Sequence, residues 1–249
     1  MPIMEAKLTV TVDTARSRKV IADILSQALS GELVGMSNFA SLAGIMDDLH
    51  EKMEAVEHAE SERQHALGFQ EIAGKFDLPL ITNIEGVYWK TIRDKFEKYA
   101  KQRDFVACLI IQEVMLESFA VSMYKDTGEA IGGEIGELLI QTSAQEEEHL
   151  NHATEILQQE MMIDKPAFVA KFKIIHEEVM TILAEWTATV DSKGHCGVCN
   201  GNCMKEDLDE IGLTTRLLRG NALRKYAQAI DTIGLPTEET TVWIINLPI

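Results

Sequence analysis

Two short segments decide the fold of this chain: Glu62-Arg-Gln-His65 and Glu146-Glu-Glu-His149. A lone glutamate precedes each segment, and Glu32 lies 30 residues before the first one. Glu117 lies 29 residues before the second one. Residues three apart share a face of a helix, so each segment can direct a carboxylate and an imidazole towards one point. The repeat predicts two similar helical halves.

Four carboxylates and two imidazoles are the ligand set of a dinuclear iron or manganese site inside a four-helix bundle. One Glu-x-x-His segment alone would be weak evidence, but two of them in phase with two further glutamates form a specific pattern. We therefore predict an all-α fold with such a bundle. The candidate metal ligands, which are also the candidate catalytic residues, are Glu32, Glu62, His65, Glu117, Glu146 and His149.

The candidate ligands lie on faces that are otherwise apolar. At 100° per residue, Glu146 and His149 fall in the middle of a stripe that includes Ile135, Leu139 and Leu157. A carboxylate on a core-facing stripe is costly unless it is paired or bound to a metal. A single buried histidine or glutamate is more often held by hydrogen bonds or by an arginine. These inner faces carry no arginine or lysine, so metal coordination explains the pattern better.

Three neighbouring residues leave the ligand set open in detail. Glu113 lies one turn before Glu117 and could be the ligand in its place, or could support the ligands through hydrogen bonds. His58 and His152 also lie near the inner faces. We interpret both histidines as supporting or structural residues rather than as ligands.

Composition favours a helical protein without a nucleic-acid partner. The chain has 40 acidic against 23 basic residues, a net charge of −17, which disfavours a nucleic-acid partner because phosphate binding needs a basic surface. No stretch reads as long enough to span a membrane, and the N-terminus lacks the layout of a signal peptide. The sequence predicts a cytoplasmic protein.

The chain divides into three parts. Residues 1–15 form an arm, residues 16–162 form the metal-binding bundle, and residues 163–249 form C-terminal helices that pack on it. Within these parts we expect the first helix to break near Gly31 or Gly35, and two separate helices to meet at Gly220. The apolar strip from Val242 to Leu247 should dock on another part of the protein.

A loop at 191–203 contains a candidate second metal site. His195, Cys196, Cys199 and Cys203 offer soft ligands within nine positions, which is compatible with zinc, an iron–sulfur cluster or a redox-active dithiol. The alternative is a loop with one disulfide or with free thiols. The second Cys-x-x-Cys of a rubredoxin-type module is missing, which favours this alternative.

The ligand segments also carry a resemblance. Gly31-Glu32 with Asn38-Phe39, Glu62-Arg-Gln-His65 with Gly68-Phe69, Glu117-Ser-Phe119-Ala120 with Tyr124, and Glu146-Glu-Glu-His149 are similar to the four ligand helices of the cyanobacterial aldehyde-deformylating oxygenases. That family is also called long-chain fatty aldehyde decarbonylases. The resemblance covers residues 30 to 160 well, and it implies a ferritin-like four-helix bundle with additional C-terminal helices.

The resemblance also implies a reaction. A long aliphatic aldehyde would be cleaved to an alkane one carbon shorter and formate, with O₂ and electrons from outside. The cofactor would be two irons, or a manganese and an iron, and the reducing partner would be a protein such as ferredoxin with its reductase. We expect an apolar tunnel for the substrate with a lining made of Met36, Phe39, Phe69, Ile110, Val114, Val121 and Leu139.

Other functions fit the same six ligands. The substrate could be an amine or an amino acid, as in an N-oxygenase, or the protein could handle iron or peroxide as ferritin-like proteins do. A bundle that uses metal only to hold itself together is a further option. A closed apolar cavity that touches the ligands would favour an oxygenase, whereas a hydrophilic route to them would favour storage.

Overall fold

The computed structural model describes residues 14–193 and 208–248, and the part of the chain that it describes is helical. It contains eight helices. They are α1 (Ala15–Ile45), α2 (Leu49–Lys75), α3 (Val87–Lys101), α4 (Phe105–Ile131), α5 (Gly133–Ile163), α6 (Lys165–Lys193), α7 (Thr215–Ile233) and α8 (Thr237–Ile245). The predicted ferritin-like all-α fold is confirmed. Residues 1–13 of the expected N-terminal arm and the candidate cysteine site lie outside the described residues.

Side-chain caps explain where several helices begin. The Thr14 hydroxyl accepts a hydrogen bond from the Ser17 amide at 3.0 Å at the start of α1. Asp48 caps α2 in the same way, and Asp104 caps α4. Such caps satisfy amide groups of the first turn that have no partner within the helix. The short polar segments between the helices are therefore fixed by local chemistry.

Contacts at the helix ends establish the direction of each helix in the bundle. Arg18, near the start of α1, donates to the backbone oxygen of Phe76, just after α2, so these helices are antiparallel. Arg103, just before α4, pairs with Asp47, just before α2, so α2 and α4 run in the same direction. Helix α5 follows α4 after a tight turn at Gly132 and runs back along it. Helix α3 makes the crossover that this order requires.

Helix α4 is the core of the molecule. Phe105–Ile131 is 27 residues long and apolar enough to cross a membrane, so the expectation that no stretch reaches this length is wrong. Its most apolar 18-residue window is 83 % buried within the protein, however. The other bundle helices and α7 surround it, which accounts for its hydrophobicity.

Residues Ile110–Leu116 of α4 form a π-helical segment between two α-helical stretches. A π segment widens the helix and shifts the angular position of every residue after it. Such segments are rare and occur mostly at functional sites. The hydrophobic period of the sequence shows no interruption here, so the sequence alone does not predict the segment.

Two expectations about glycine were wrong. Helix α1 continues through Gly31 and Gly35 without a break, and α7 continues through Gly220 as one helix. The residues before α7 form only a short 3-10 turn, Leu208–Ile211. A glycine within a helix costs about 1 kcal/mol relative to alanine, which the packing of these helices can offset.

The C-terminal helices cover one side of the bundle. The ring of Trp243 on α8 stacks against Phe172 on α6, with centroids 6.5 Å apart, so the apolar C-terminal strip docks as expected. Helix α6 also contacts α7, where His176 Nδ1 lies 2.8 Å from the Tyr226 hydroxyl. These helices close the space beside α1 and α4 in which the cavity described below lies.

Helices α4 and α5 approach each other closely at two glycines, which allows a test of the packing. A Cβ at position 136 would overlap the Gly128 carbonyl oxygen, so Gly136→Ala should lower the free energy of unfolding by about 1–3 kcal/mol. Gly220→Ala is the matched control, because nothing lies within 4 Å of its Cβ, and it should raise stability by up to about 1 kcal/mol. Denaturant unfolding measures both, and a Gly136→Ala variant as stable as the native chain would contradict the packing.

Candidate metal centre

Four helices bring the six predicted ligands together in the interior. Helix α1 contributes Glu32, α4 contributes Glu117, and α2 and α5 each contribute one Glu-x-x-His pair. All six residues are buried, with exposures of 1–5 %. Periodicity alone placed them on inner faces, and the structure shows that those faces meet.

The six side chains form two overlapping groups. Glu32, Glu62, His65 and Glu146 form one group, and Glu62, Glu117, Glu146 and His149 form the other. Within each group the potential ligand atoms lie within 4.8 Å of one another. Glu62 and Glu146 belong to both groups. This is the arrangement that two adjacent cations sharing two bridging carboxylates would need.

The histidines lie at the two sides of the shared carboxylates. His65 Nδ1 is 2.9 Å from Glu146 Oε1 and 3.1 Å from Glu32 Oε2. His149 Nδ1 is 3.0 Å from Glu146 Oε2 and 3.8 Å from Glu62 Oε1. Each imidazole therefore directs its Nδ1 towards carboxylate oxygens, and each side has one nitrogen for one cation.

Several buried atoms of the site have no hydrogen-bond partner. They are Glu62 Oε1, both carboxylate oxygens of Glu146, and His149 Nδ1. The neighbouring polar atoms are close to them but not in hydrogen-bonding geometry. Leaving one buried polar atom unsatisfied costs about 1–3 kcal/mol, and more for a charged group. Atoms of this kind, directed at one point, fit a pair of divalent cations.

The raised pKa values of the buried glutamates also fit a pair of divalent cations. Burial, followed by repulsion from neighbouring carboxylates, raises the pKa of Glu62 and of Glu117 well above the ordinary value. Burial and the charge of Glu32 raise the pKa of Glu146 to about 7. Without added positive charge the four carboxylates resist ionising together. Two divalent cations would supply as many positive charges as four carboxylates carry negative ones.

Near His65, contacts between polar side chains counteract the effect of burial on the pKa values of the site. Burial would raise the pKa of Glu32, but hydrogen bonds with Glu62, His65 and Tyr124 outweigh it and hold that pKa below its ordinary value. Burial would lower the pKa of His65, but the carboxylates of Glu146 and Glu32, 2.9 and 3.1 Å from its Nδ1, raise it to about 11. In the absence of a cation, His65 therefore supplies positive charge to this side.

Four polar residues support the candidate ligands, and none of the four was expected from the sequence to do so. The Tyr124 hydroxyl donates to Glu32. Gln112 Nε2 donates to Glu117 at 2.7 Å and in turn accepts a bond of 2.7 Å from Asn38. His65 Nε2 lies 2.8 Å from the side-chain oxygen of Gln145. Such partners orient the ligands, and Tyr124 could have been found, since it lies two turns after Glu117 on the same face.

Glu113 lies in a different group from Glu117. Its side chain is directed towards His58 and His152, away from the two overlapping groups, while the Glu117 carboxylate belongs to one of them. The π segment contains Glu113 and ends immediately before Glu117, which separates the two side chains in direction. The choice between these glutamates therefore depended on a local helix geometry that the sequence does not reveal.

A cavity of about 210 Å³ extends from the site. The four glutamates of the candidate centre lie at one end of it, and its other walls come from α1, α3, α4, α6, α7 and the 3-10 turn. Most of the lining is apolar, including Ile24, Ala28, Leu116, Phe119, Ala120 and Met123. The volume is smaller than the roughly 300–1,000 Å³ of pockets for drug-sized ligands, which favours a slender ligand.

The tunnel lining expected from the sequence was wrong. None of Met36, Phe39, Phe69, Ile110, Val114, Val121 and Leu139 lines the cavity. Most of these side chains pack the helices against one another in the two hydrophobic cores. The cavity instead lies between α1 and α4 on the side that α6 and α7 cover. Because α6 and α7 form part of its wall, its location cannot be derived from the sequence pattern of the bundle helices alone.

Comparisons with known proteins agree with this architecture. Residues 15–187 match the model of the family described as long-chain fatty aldehyde decarbonylase. A solved structure from Synechococcus, described as protein 19 with aldehyde deformylating oxidase activity, is similar to this chain with a TM-score of 0.75 and 17 % sequence identity. The similarity covers 93 % of this chain and 97 % of that one. At this identity the structural likeness establishes the fold.

Gly35 allows a direct test of the site. A Cβ at this position would lie 2.9 Å from the Glu62 carboxyl carbon, so Gly35→Ala should displace this shared carboxylate and lower the bound metal below the native content. Gly44→Ala on the same helix meets nothing within 4 Å and should keep the native metal content. Metal analysis of both variants after anaerobic reconstitution provides the measurement. Equal metal content in the two would contradict the role of Glu62.

Proposed function

The chain belongs to the long-chain fatty aldehyde decarbonylase family and is an enzyme acting on aldehydes, and we propose that it cleaves a medium- or long-chain aldehyde at a dinuclear iron centre. In the proposed reaction O₂ is consumed, the carbonyl carbon leaves as formate, and the rest of the chain becomes an alkane. The observation that carries the proposal is the apolar cavity that ends on the four carboxylates.

The apolar cavity supports an acyl-chain substrate through the hydrophobic effect. Each methylene that leaves water for the lining contributes about 0.8 kcal/mol to binding. Ile24 and Ala28 on α1 and Leu116 and Ala120 on α4 line this space, and they can hold an extended chain. An aldehyde held there with its carbonyl group towards the glutamates would have its reactive carbon next to the centre, with little water around it.

We propose Glu32, Glu62, His65, Glu117, Glu146 and His149 as the ligands of two metal ions. Support comes from their burial, from the unpartnered atoms, and from Glu62 and Glu146, which each belong to both groups of ligand atoms. Two iron ions, or a manganese and an iron, would supply O₂ activation and electron transfer when bound. The glutamates balance the charge, and each histidine provides one nitrogen.

The neighbouring residues would keep the ligands in place during the reaction. Burial and the charge of Glu32 raise the pKa of Tyr124 well above the ordinary value, so the phenol keeps its proton and continues to donate to Glu32. Gln112 holds Glu117 from the π segment. Neither residue needs to give up a proton, and their role is to fix the carboxylates at the end of the cavity.

Two other functions fit the cavity less well. An amine or amino-acid substrate would need charged partners in the cavity. Among the described residues that line it, Arg219 is the one charged residue besides the four glutamates. Arg219 is the feature that favours an acidic substrate, so an N-oxygenase is the second candidate. Iron or peroxide handling would need a hydrophilic route to the ions, whereas this cavity is mostly apolar.

We further propose that the electrons come from a separate reducing protein, such as ferredoxin with its reductase, in the cytoplasm. Support comes from the chemistry of the reaction, because carboxylates and imidazoles hold metal ions but cannot provide the electrons that the cleavage consumes. Cys108 is buried in α4, and burial raises the pKa of its thiol to about 12, so it is explained by packing and not by redox chemistry.

Turnover of a panel of aldehydes tests the proposal directly. The reduced, iron-loaded protein should consume O₂ when an aldehyde between about C8 and C18 is added, and mass spectrometry should detect formate and the alkane one carbon shorter. The His149→Ala variant should lose both metal and products. If no aldehyde reacts while an amine or amino acid triggers O₂ uptake, the second candidate is correct.

Adjacent positions on α4 test the assignment of the cavity. Ala120 lines the cavity, so Ala120→Phe should shift the preference towards shorter aldehydes by filling part of it. Val121 is buried outside the cavity, so Val121→Phe should lower the free energy of unfolding by about 1–3 kcal/mol and leave the chain-length preference unchanged. Relative kcat/KM values across the aldehyde panel provide the measurement. An unchanged preference in Ala120→Phe would place the substrate elsewhere.

A further inference from the structure

A second cluster of potential metal ligands lies beside the candidate centre. His58 on α2, Glu113 on α4 and His152 on α5 bring one ligand atom each to within 4.8 Å of one another. Glu113 is 2 % exposed and His58 is 8 % exposed, so the cluster begins in the core. The side chain of His152 is 28 % exposed, so the cluster also reaches the surface.

The polar atoms of this cluster lack partners in the same way as those of the centre. Ten buried side-chain polar atoms of the described residues have no hydrogen-bond partner. Four of the ten belong to the candidate centre. Four others are Glu113 Oε2, His58 Nδ1, His152 Nδ1 and Glu51 Oε2, which all lie in or next to the cluster. Buried polar groups are normally satisfied, so this concentration requires an explanation.

Glu51 gives His152 the surroundings of a metal-binding histidine. Its Oε2 lies 3.3 Å from His152 Nε2, while His152 Nδ1 remains without a partner. Histidines that bind metals usually have their second ring nitrogen next to a carboxylate, which fixes the orientation of the ring. On the core side, Glu113 Oε2 lies 3.9 Å from His58 Nδ1, too far for a hydrogen bond but close enough for both to bind one ion.

We infer that His58, Glu113 and His152 form a third site for a divalent transition-metal ion, separate from the dinuclear centre. Two imidazoles and one carboxylate suit iron(II) or zinc, which accept nitrogen and oxygen ligands together. The open coordination positions would be filled by water, because the cluster reaches the surface at His152. This inference does not depend on the substrate of the enzyme.

The third site follows from the architecture of the bundle. His58 and Glu113 each lie four residues before a ligand of the centre, and His152 lies three residues after one. Since α5 runs against α2 and α4, all three positions are displaced by one turn towards the same end of the bundle. The ring of His58 lies 4.1 Å from that of His149, so the third ion would be a neighbour of the centre.

The cavity extends in the opposite direction. Apart from Gln112 and Leu116, its lining residues on these two helices run from Glu32 back towards Ile24 and from Glu117 on to Thr127. These residues lie towards the end of the bundle where α1 begins and α4 ends. The third site therefore lies on the side of the centre that the proposed substrate does not occupy.

Metal stoichiometry tests the inference. The full-length protein is freed of metal and loaded anaerobically with isotopically enriched iron(II), and the native chain is compared with Glu113→Gln, His152→Ala and the control His50→Ala. His50 lies on α2, and its side chain is 76 % exposed. Glu113→Gln and His152→Ala should each bind one ion fewer than the native chain, and the control should bind the native number. Circular dichroism verifies that all variants fold.

Mössbauer spectra in an applied field identify which ion is lost, because they distinguish a spin-coupled iron pair from an isolated ion. We expect the isolated ion to disappear from Glu113→Gln and His152→Ala while the coupled pair remains. Loss of iron from the pair itself would mean that the cluster belongs to the dinuclear centre, and would overturn the inference. Equal iron content in all four proteins would also overturn it. Neither result depends on aldehyde turnover.

Discussion

The burial of four carboxylates at one point is the constraint on which the rest of this structure depends. Removing an ion from water costs several kcal/mol even after the protein relaxes, and four like charges add mutual repulsion. The helices can meet here only if bound protons or positive charge neutralise the glutamates. Glycine at position 35 makes room for the shared Glu62, and the hydrogen bonds from Tyr124 and Gln112 hold its neighbours. The geometry of the bundle is thus organised around this charge.

The layer of glutamates divides the interior into two regions with different chemistry. Towards one end the space between α1 and α4 is apolar and remains open as a cavity. Towards the other end the same helix set carries imidazoles and a further carboxylate that reach the surface. The two regions arise from the same helices, because residues one turn apart share a helix face but lie at different positions along the axis of the bundle. In the proposed function, the metal ions and the organic substrate would therefore have separate surroundings within one bundle.

The sequence predicted what is local and did not predict what depends on packing between distant elements. Glu62 and His65 could be placed on one face because the helical period fixes it, and the structure brings them together with Glu146. That they hold metal stays a prediction. Val121 was assigned to the tunnel by its hydrophobicity, but hydrophobic residues of the core and of a cavity look alike in sequence. The role of Glu113 was undecided because the π segment changes its direction without changing the apolar pattern.

The long apolar core helix has a consequence for how the chain is made. When Phe105–Ile131 is synthesised, α5 and α7, which later cover it, have not yet been translated. For that interval the nascent chain exposes a segment that machinery for membrane insertion selects by length and hydropathy. Glu113 and Glu117, near its middle, oppose insertion because a carboxylate at the bilayer centre is expensive. The same two carboxylates whose burial is costly in the folded core thus also oppose insertion of the nascent chain into the lipid.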